Sequence, residues 1–204
     1  MSAEMVASSV EKFMGTQKTR RTLGEYVSEL EVLGRLTPTV QEAVDKAERL
    51  TRENDFIFYL AGALTGVSEE MKARYGQVGD LITTHQKPGA KMFGYAPHLH
   101  GTDPIAHPDV SPEEVRDIDY IFAAVVADGH FNFMYPLAHG NAVEEAWAEA
   151  ANIPAVYLMP ESMYTSRLIR GMHNILSTII YTDFETDGLP QVAQLLDGIE
   201  RATK

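Results

Sequence analysis

The segment Phe56-Ile-Phe-Tyr-Leu-Ala-Gly-Ala-Leu-Thr-Gly66 decides the fold, because it reads as a buried strand that turns directly into a helix. Its first six residues form a short apolar run, bounded by glycine, which is typical of a fully buried strand. Gly62 and Gly66 let the backbone turn tightly, and Ser68 is a good N-cap for the helix that follows. A strand followed closely by a helix is the repeating unit of α/β proteins.

The same alternation of short apolar strands and helices continues along the chain. Strands are predicted at Phe56–Ala61, Met92–Pro97, Ile118–Ala127, Ala155–Met159 and Ser177–Thr182. Helices are predicted at Ser68–Thr83, Ser111–Arg116, Gly140–Ala151, Tyr164–Ile175 and Pro190–Thr203. Five strands separated by helices predict an α/β fold with a five-stranded parallel, doubly wound, flavodoxin-like sheet. Such a sheet binds ligands beyond the carboxyl ends of its strands.

Residues 1–54 predict a helical extension ahead of the α/β domain, which spans residues 55–204. Apolar residues recur at helical spacing from Leu23 to Leu33 and again from Val40 to Leu50. Between the two runs, the Thr37-Pro38 pair suits a helix cap and a first helical residue. Each helix has an apolar stripe that must be covered, either by the domain that follows or by a second subunit.

Composition excludes several functional classes. The chain of 204 residues is 45% hydrophobic with a net charge of −12, so it can bury a core but would repel a nucleic-acid polymer. It has no cysteine, which excludes disulfides and thiolate metal sites. The longest apolar run, Tyr120–Ala127, is too short to span a bilayer, and no secretory signal is visible. We therefore expect a cytoplasmic protein with neither a membrane nor a nucleic-acid partner.

Glu144 is the first candidate for chemistry, near the start of the helix predicted to open at Gly140. The apolar stripe expected to face the core consists of Val143, Ala146, Trp147 and Ala150. Glu145 and Glu149 are expected in solvent, whereas Glu144 lies beside the apolar face. The helix dipole would hold a first-turn carboxylate ionised, as a nucleophile must be. The alternative is that Glu144 only complements the dipole.

Asp109 is the second candidate, at the end of a loop rich in ionisable side chains that begins at Pro97. It stands just before the helix start Ser111-Pro-Glu-Glu114, at the edge of the sheet where ligands bind. Cleavage of a glycosidic bond uses two carboxyl groups, one to attack the anomeric carbon and one to protonate the leaving group. The alternative for Asp109 is an ordinary turn after Pro108.

The histidines of the same loop offer a possible metal site. On an extended segment, His98 and His100 would place both imidazoles on one side, with His107 and Asp109 close behind. Neutral imidazoles and a carboxylate can bind a metal ion. Because the spacing is not that of a distinctive metal motif, a polar pocket wall is favoured, and neither a metal nor a cofactor is expected.

Three motifs, in order along the chain, resemble the nucleoside 2-deoxyribosyltransferase-like superfamily, which includes nucleotide N-glycosidases. Tyr59-Leu-Ala-Gly62 resembles its opening motif at the end of the first strand. The pattern Gly140-x-x-x-Glu144-x-Ala-x-Ala148, followed by Ile153–Leu158, resembles its nucleophile helix and the next strand. Asp109 and Asp117, eight residues apart, resemble an acid pair whose second member begins the central strand. The resemblance covers about residues 55–160.

The resemblance implies cleavage or transfer at the N-glycosidic bond of a nucleoside or nucleoside 5′-monophosphate, through a covalent glycosyl-enzyme intermediate. Glu144 would be the nucleophile and Asp109 the acid that assists the leaving base. Tyr59 would line the sugar pocket, and the Gly62–Gly66 turn would lie near the 5′ end of the substrate. The residues expected to bind substrate are Tyr59, Gly62, Thr65, Gly140 and Asn141. A homodimer or larger homo-oligomer is also implied.

The sequence departs from the family pattern at three places. Ala138 stands where the family often carries an acid, six residues before the nucleophile, and Ala146 stands where glycine is usual. The loop Asp128–Tyr135 is long and is expected to set the choice of substrate. Two alternatives therefore stay open: a NAD glycohydrolase with a similar glutamate, and a non-catalytic nucleotide-binding sensor that uses residues 1–54 for assembly.

Overall fold

The computed structural model describes residues 21–85, 90–136, 138–164 and 166–199. The part of the predicted N-terminal extension before residue 21, and the end of the last predicted helix after residue 199, lie outside the described residues. In the ranges described, no helix has both the length and the apolar composition that crossing a bilayer requires.

Five parallel strands form one sheet in the order β2-β1-β3-β4-β5. The strands are β1 (Phe56–Ala61), β2 (Met92–Tyr95), β3 (Gly129–Phe133), β4 (Ala155–Pro160) and β5 (Ile175–Tyr181). β1 pairs with β2 on one side and with β3 on the other, so the strand order reverses between β1 and β3. This order confirms the predicted flavodoxin-like α/β sheet and defines its topological switch point.

Helices cover both faces of the sheet. The α-helices are α1 (Leu23–Val32), α2 (Pro38–Glu53), α3 (Glu69–Thr84), α4 (Pro97–His100), α5 (Pro112–Tyr120), α6 (His139–Ala150), α7 (Arg167–Arg170) and α8 (Leu189–Gly198). Two π-helical segments occur at Ile121–Val126 and Phe184–Gly188. Side chains of β1 alternate between two cores: Tyr59 packs with α1, α2 and the first π-helical segment, and Leu60 packs with α3 and α8.

The predicted central strand Ile118–Ala127 is wrong. Its first residues belong to α5, the π-helical segment Ile121–Val126 follows, and the strand is Gly129–Phe133. Every residue of the π-helical segment is buried, and a wholly apolar buried run has the same pattern whether it is helical or extended. The sequence pattern misses β3 because this strand carries two fully buried polar residues, His130 and Asn132.

Two further predicted elements differ from the structure. The helix predicted at Tyr164–Ile175 is reduced to α7, and β5 already begins at Ile175. The strand predicted at Met92–Pro97 ends at Tyr95, because Pro97 occupies the first turn of α4. Proline suits that position, since the first amides of a helix have no intrahelical acceptor.

The N-terminal helices pack on the sheet of the same chain. Thr22 caps α1 in a capping box with Glu25, and the Thr37 side chain caps α2 by accepting from the Val40 amide. Their apolar stripes form one buried cluster with β1 and the first π-helical segment. The sheet of the same chain therefore covers the buried part of these stripes. Only Asn54 and Asp55 separate α2 from β1, and the division into two domains at residue 54 stays a prediction.

Asp117 joins α5 to these helices. It is 1% exposed, and its Oδ1 accepts hydrogen bonds from the Tyr26 hydroxyl at 2.9 Å and from Arg35 Nη2 at 2.5 Å. A buried carboxylate is tolerated when its charge is paired and hydrogen-bonded. The Asp117 contacts therefore fix the position of α5 against α1 and the turn that follows it.

We expect Asp117→Ala to lower the free energy of unfolding by about 2–4 kcal/mol, because it leaves Arg35 and Tyr26 without their shared acceptor. Tyr26→Phe, which removes one hydrogen bond, should cost about 1 kcal/mol. Urea denaturation measures both. The exposed Asp109→Ala variant is the control, expected within about 0.5 kcal/mol of wild type. An Asp117→Ala loss no larger than that of the control would contradict this anchoring role.

Candidate functional site

Residues that follow β1 and β3 line a cavity of about 540 Å³ at the switch point of the sheet. The described walls are the loop 62–65, Thr102 and Pro104, Val115 and Asp119 of α5, and the start of α6 as far as Glu144. The volume lies within the range of small-molecule sites, roughly 300–1,000 Å³. The cavity therefore has the place and the size expected of a ligand site in this fold.

A buried hydrogen bond joins Tyr59 of β1 to Glu144 of α6. The Tyr59 hydroxyl donates to Glu144 Oε1 at 2.8 Å, with Tyr59 fully buried and Glu144 only 9% exposed. Burial, and then the charges of Asp119 and Glu144, raise the pKa of Tyr59 well above its ordinary value. The hydroxyl consequently keeps its proton and remains a donor to Glu144.

The buried face of α6 differs from the predicted apolar stripe. Its buried residues are Asn141, Glu144, Glu145 and Ala148. Val143 is 46% exposed, and Ala146 and Ala150 are exposed as well. Of the predicted core stripe only Trp147 packs against the core, whereas its other three residues are exposed, and the predicted solvation of Glu145 is wrong. Hydrophobic patterning predicts that the apolar side of a helix is buried. The polar side of α6 is buried because it lines a cavity.

The helix dipole does not hold Glu144 in its ionised form. α6 begins at His139 with Ala138 as its N-cap, so Glu144 lies in the second turn. The field of the free amides falls off within the first turn, and the expected first-turn effect is wrong. Burial, and then the charge of Asp119, raise the pKa of Glu144 well above its ordinary value, whereas the Tyr59 hydrogen bond lowers it.

Asp119 is a second carboxyl group in the cavity, and the sequence analysis does not single it out. It lies on α5 one helical turn after Val115, which lines the same cavity. Burial raises the pKa of Asp119 to about 7, while the nearby hydroxyls of Thr102 and Tyr59 lower it. Because the charges of Asp119 and Glu144 also repel each other, the pair resists full ionisation and retains a proton near neutral pH.

Asp109 is exposed and is not among the described residues that line the cavity. The structure brings Glu144 together with Asp119 and does not bring it together with Asp109. In a strand, residues 117 and 119 would share a face, but in a helix they point about 200° apart. Asp117 thus contacts α1 while Asp119 faces the cavity. The spacing of Val115 and Asp119 on a helix is the sequence signal that could have revealed Asp119.

Polar atoms without partners concentrate in this cavity. In the part of the chain that the structure describes, four of its lining side chains have a buried polar atom with no hydrogen-bond partner of normal geometry: Thr102 Oγ1, Asp119 Oδ1, Asn141 Oδ1 and Glu144 Oε2. Asn141 is held in place by its amide, which donates to the Phe133 carbonyl at 3.2 Å. Because buried polar groups are normally satisfied, these atoms indicate where the polar groups of a ligand would bind.

The other residues predicted to bind substrate are also near the cavity. Its walls include Gly62, Thr65, Gly140 and Asn141, and Tyr59 lies behind Glu144. Gly62 has a packing role in addition, since a Cβ there would lie 2.7 Å from the Tyr75 ring. The Tyr75 hydroxyl donates to the Ala63 carbonyl at 3.1 Å, which holds the loop after β1 against α3.

A buried ion pair holds the opposite wall. Lys72 Nζ lies 2.6 Å from Asp103 Oδ2, and both side chains are almost fully buried. Asp103 Oδ1 also accepts from the Ile105 amide at 2.8 Å. These contacts fix the turn that carries Thr102 and Pro104 into the cavity, and they neutralise the charge of Lys72 within the protein.

The histidines do not form the extended arrangement considered from the sequence. His98 and His100 lie on the short helix α4, where His98 contacts Tyr75 and His100 contacts Tyr95. Burial lowers the pKa of His98, and it lowers that of His100 to about 4. Among the residues described, no group of three or more histidine, aspartate and glutamate side chains is arranged to hold a metal ion.

The chain has a structural likeness to solved proteins but no match among known sequence families. No protein-family model and no curated protein matches the sequence. Among solved structures, the chain is similar to BcmB, a CMP N-glycosidase from Clostridium botulinum, with 21% sequence identity and a TM-score of 0.47. The match covers 68% of this chain and 98% of that one.

We expect Glu144→Gln to be more stable than wild type above neutral pH. The raised pKa of Glu144 means that the folded state favours the protonated form, so this stabilisation is complete below the ordinary value of 4.5 and is lost as the pH rises through the folded-state pKa. Glutamine can still accept from Tyr59 but carries no charge. Between pH 4.5 and pH 8, the stability difference should grow by about 1 kcal/mol or more, the equivalent of one pKa unit.

Thermal unfolding of both proteins at a series of pH values measures this difference. Asp109→Asn serves as the matched control, because it removes an exposed carboxylate and should show no such divergence. Stability curves of wild type and Glu144→Gln that stay parallel across the range would show that Glu144 is not buried in an unfavourable ionised form.

Proposed function

We propose that this chain is an enzyme that cleaves or transfers the N-glycosidic bond of a nucleoside or nucleoside 5′-monophosphate, with Glu144 as nucleophile and Asp119 as acid. The observation that carries the proposal is that two carboxyl groups, on α6 and α5, line one cavity and both have raised pKa values. A one-proton pair of this kind supplies an ionised group and a proton donor at the same pH.

In the reactive form of the pair, the single proton lies on Asp119, and the hydrogen bond from Tyr59 favours the ionised form of Glu144. In the first step, Oε2 of ionised Glu144 attacks the anomeric carbon C1′. Oε1 accepts the 2.8 Å hydrogen bond from Tyr59 and is held by it, whereas Oε2 has no hydrogen-bond partner among the described residues, which leaves it for the attack. As the C1′–O bond forms, the C1′–N bond breaks and its electron pair leaves with the base. Asp119 gives its proton to that base, so the products are a glycosyl ester of Glu144, a neutral base and an ionised Asp119.

In the second step, an acceptor displaces Glu144 from C1′. Asp119, now ionised, takes a proton from the acceptor as it attacks, and Glu144 is released as a carboxylate. Water as acceptor makes the chain a hydrolase, and a second nucleobase makes it a transferase. Two displacements return C1′ to its original configuration, which is the outcome for a carboxylate that acts as nucleophile.

Asp119 takes the part that the family resemblance assigns to Asp109. Asp119 lines the cavity with Glu144, whereas Asp109 is exposed. The family often carries an acid at the position of Ala138. In this chain Asp119 of α5 provides the second carboxyl group instead. The one-proton pair of acids in one cavity supports an enzyme over a sensor, because it supplies a nucleophile and a proton donor together.

The unpaired polar atoms of the cavity suit the hydroxyl groups of a sugar. Thr102 Oγ1 and Asn141 Oδ1 belong to residues that line the cavity with the two acids, and neither has a hydrogen-bond partner of normal geometry among the described residues. A 5′-phosphate is less suited to this cavity, because its charge would be placed near Asp119 and Glu144. Unphosphorylated nucleosides are therefore the first substrates to examine.

We expect Glu144→Gln to lower the rate of base release by about 10³-fold or more, since an amide cannot form the glycosyl ester. Asp119→Asn should lower it by roughly 10²–10⁴-fold, the usual contribution of a general acid. Asp109→Asn should stay within about twofold of wild type. Chromatography of free base released from nucleosides, their 5′-monophosphates and NAD, with and without an acceptor base, measures these rates.

The three variants test the nucleophile and the acid separately, and the choice of substrates tests the reaction. A folded Glu144→Gln protein that releases base at nearly the wild-type rate would disprove the nucleophile. If Asp109→Asn lowers the rate of base release and Asp119→Asn does not, then Asp109 is the acid, as the family resemblance implies. Nicotinamide release from NAD in preference to base release from nucleosides would favour the glycohydrolase alternative.

A further inference from the structure

A second cavity of about 280 Å³ adjoins the first. The two cavities share three residues at the start of α6: Ala138, His139 and Asn141. The other described walls of the second cavity are mostly apolar, with Met134, Ala142 and Ile169, and they include one carboxyl group, that of Glu145. A single molecule that lies along the start of α6 can therefore occupy both cavities.

Glu145 is buried without a partner. It is 2% exposed, and within the described part of the chain its carboxyl group forms neither a hydrogen bond nor an ion pair. Burial raises its pKa to about 7. An unpaired carboxyl group in an apolar wall is costly, and such groups are normally paired in a functional state. The missing partner is expected to come from the ligand.

Glu144 and Glu145 line different cavities. Successive residues of an α-helix point about 100° apart, so Glu144 and Glu145 face different cavities from neighbouring positions. Under the proposed function, C1′ of the substrate lies against Glu144 in the larger cavity. The glycosidic nitrogen of the base then stays beside Asp119 in the larger cavity, and the far edge of the base extends into the smaller cavity, where it meets apolar walls and the carboxyl group of Glu145.

We infer, on the basis of the proposed function, that the second cavity binds the far edge of the nucleobase and that Glu145 selects bases with an exocyclic amino group there. A flat ring suits the walls formed by Met134, Ala142 and Ile169. An amino group donates a hydrogen bond to a carboxyl oxygen, as the amino group of cytosine does to glutamate and aspartate. When Glu145 is ionised, above its raised pKa of about 7, a base with a carbonyl oxygen at that position presents a second acceptor to the carboxylate and leaves both without a donor.

Matched pairs of substrates test this selection, because cytidine and uridine, or adenosine and inosine, differ by an amino group against a carbonyl oxygen. We expect wild type to favour cytidine over uridine, and adenosine over inosine, by roughly tenfold to a hundredfold in kcat/KM. Glu145→Gln should bring both ratios close to one, because the side-chain amide can also donate to a carbonyl oxygen. Glu149→Gln, one turn along the same helix and partly exposed, should keep the wild-type ratios.

A binding measurement gives a readout that does not depend on turnover. Calorimetry of the Glu144→Gln protein with free cytosine and free uracil should show tighter binding of cytosine, and the difference should disappear in the Glu144→Gln/Glu145→Gln double variant. Equal binding of the two bases, or ratios in kcat/KM that Glu145→Gln leaves unchanged, would overturn the role of Glu145. Those results leave the proposed function intact, whereas base release that does not need Glu144 overturns the proposed function itself.

Discussion

The hydrogen bond from Tyr59 to Glu144 is the contact on which the site depends, because it holds a carboxyl group inside the protein where burial favours the uncharged form. Three elements must meet to make it useful. β1 brings Tyr59 to the switch point, α6 carries Glu144 in its second turn, and α5 brings Asp119 to the same cavity. An open α/β sheet allows this, since the loops that follow neighbouring parallel strands meet at one edge.

The helix α5 gives two neighbouring acids opposite surroundings. Asp117 is paired with Arg35 and bonded to Tyr26, and it stabilises the packing of the N-terminal helices. Asp119, two residues later, faces the cavity with a pKa raised to about 7. One carboxylate therefore anchors the helix that positions the other, and this links the N-terminal helices to the site without any direct contact of theirs with a ligand.

The alternation of apolar strands and helices predicts the parallel five-stranded sheet, and β1 has the predicted bounds. Glu144 and Tyr59 are predicted from short motifs that resemble those of a known family. The central strand and Asp119 are not, because the apolar run at residues 118–127 fits a buried helix as well as a strand. The face of α6 is missed for a related reason: a helix that buries Asn141, Glu144 and Glu145 contradicts hydrophobic patterning, and such conflicts are typical of functional sites.

The covalent step at Glu144 can be tested by mass spectrometry. Protein mixed with a cleavable nucleoside, quenched in acid within its first turnovers and digested, should contain a peptide that carries Glu144 and the added mass of one sugar residue. Asp119→Asn should change the amount of this adduct but not its position, and Glu144→Gln should eliminate it. Sugar found on another side chain, or free base formed rapidly by a Glu144→Gln protein, would contradict the account of two buried acids with Glu144 as the nucleophile.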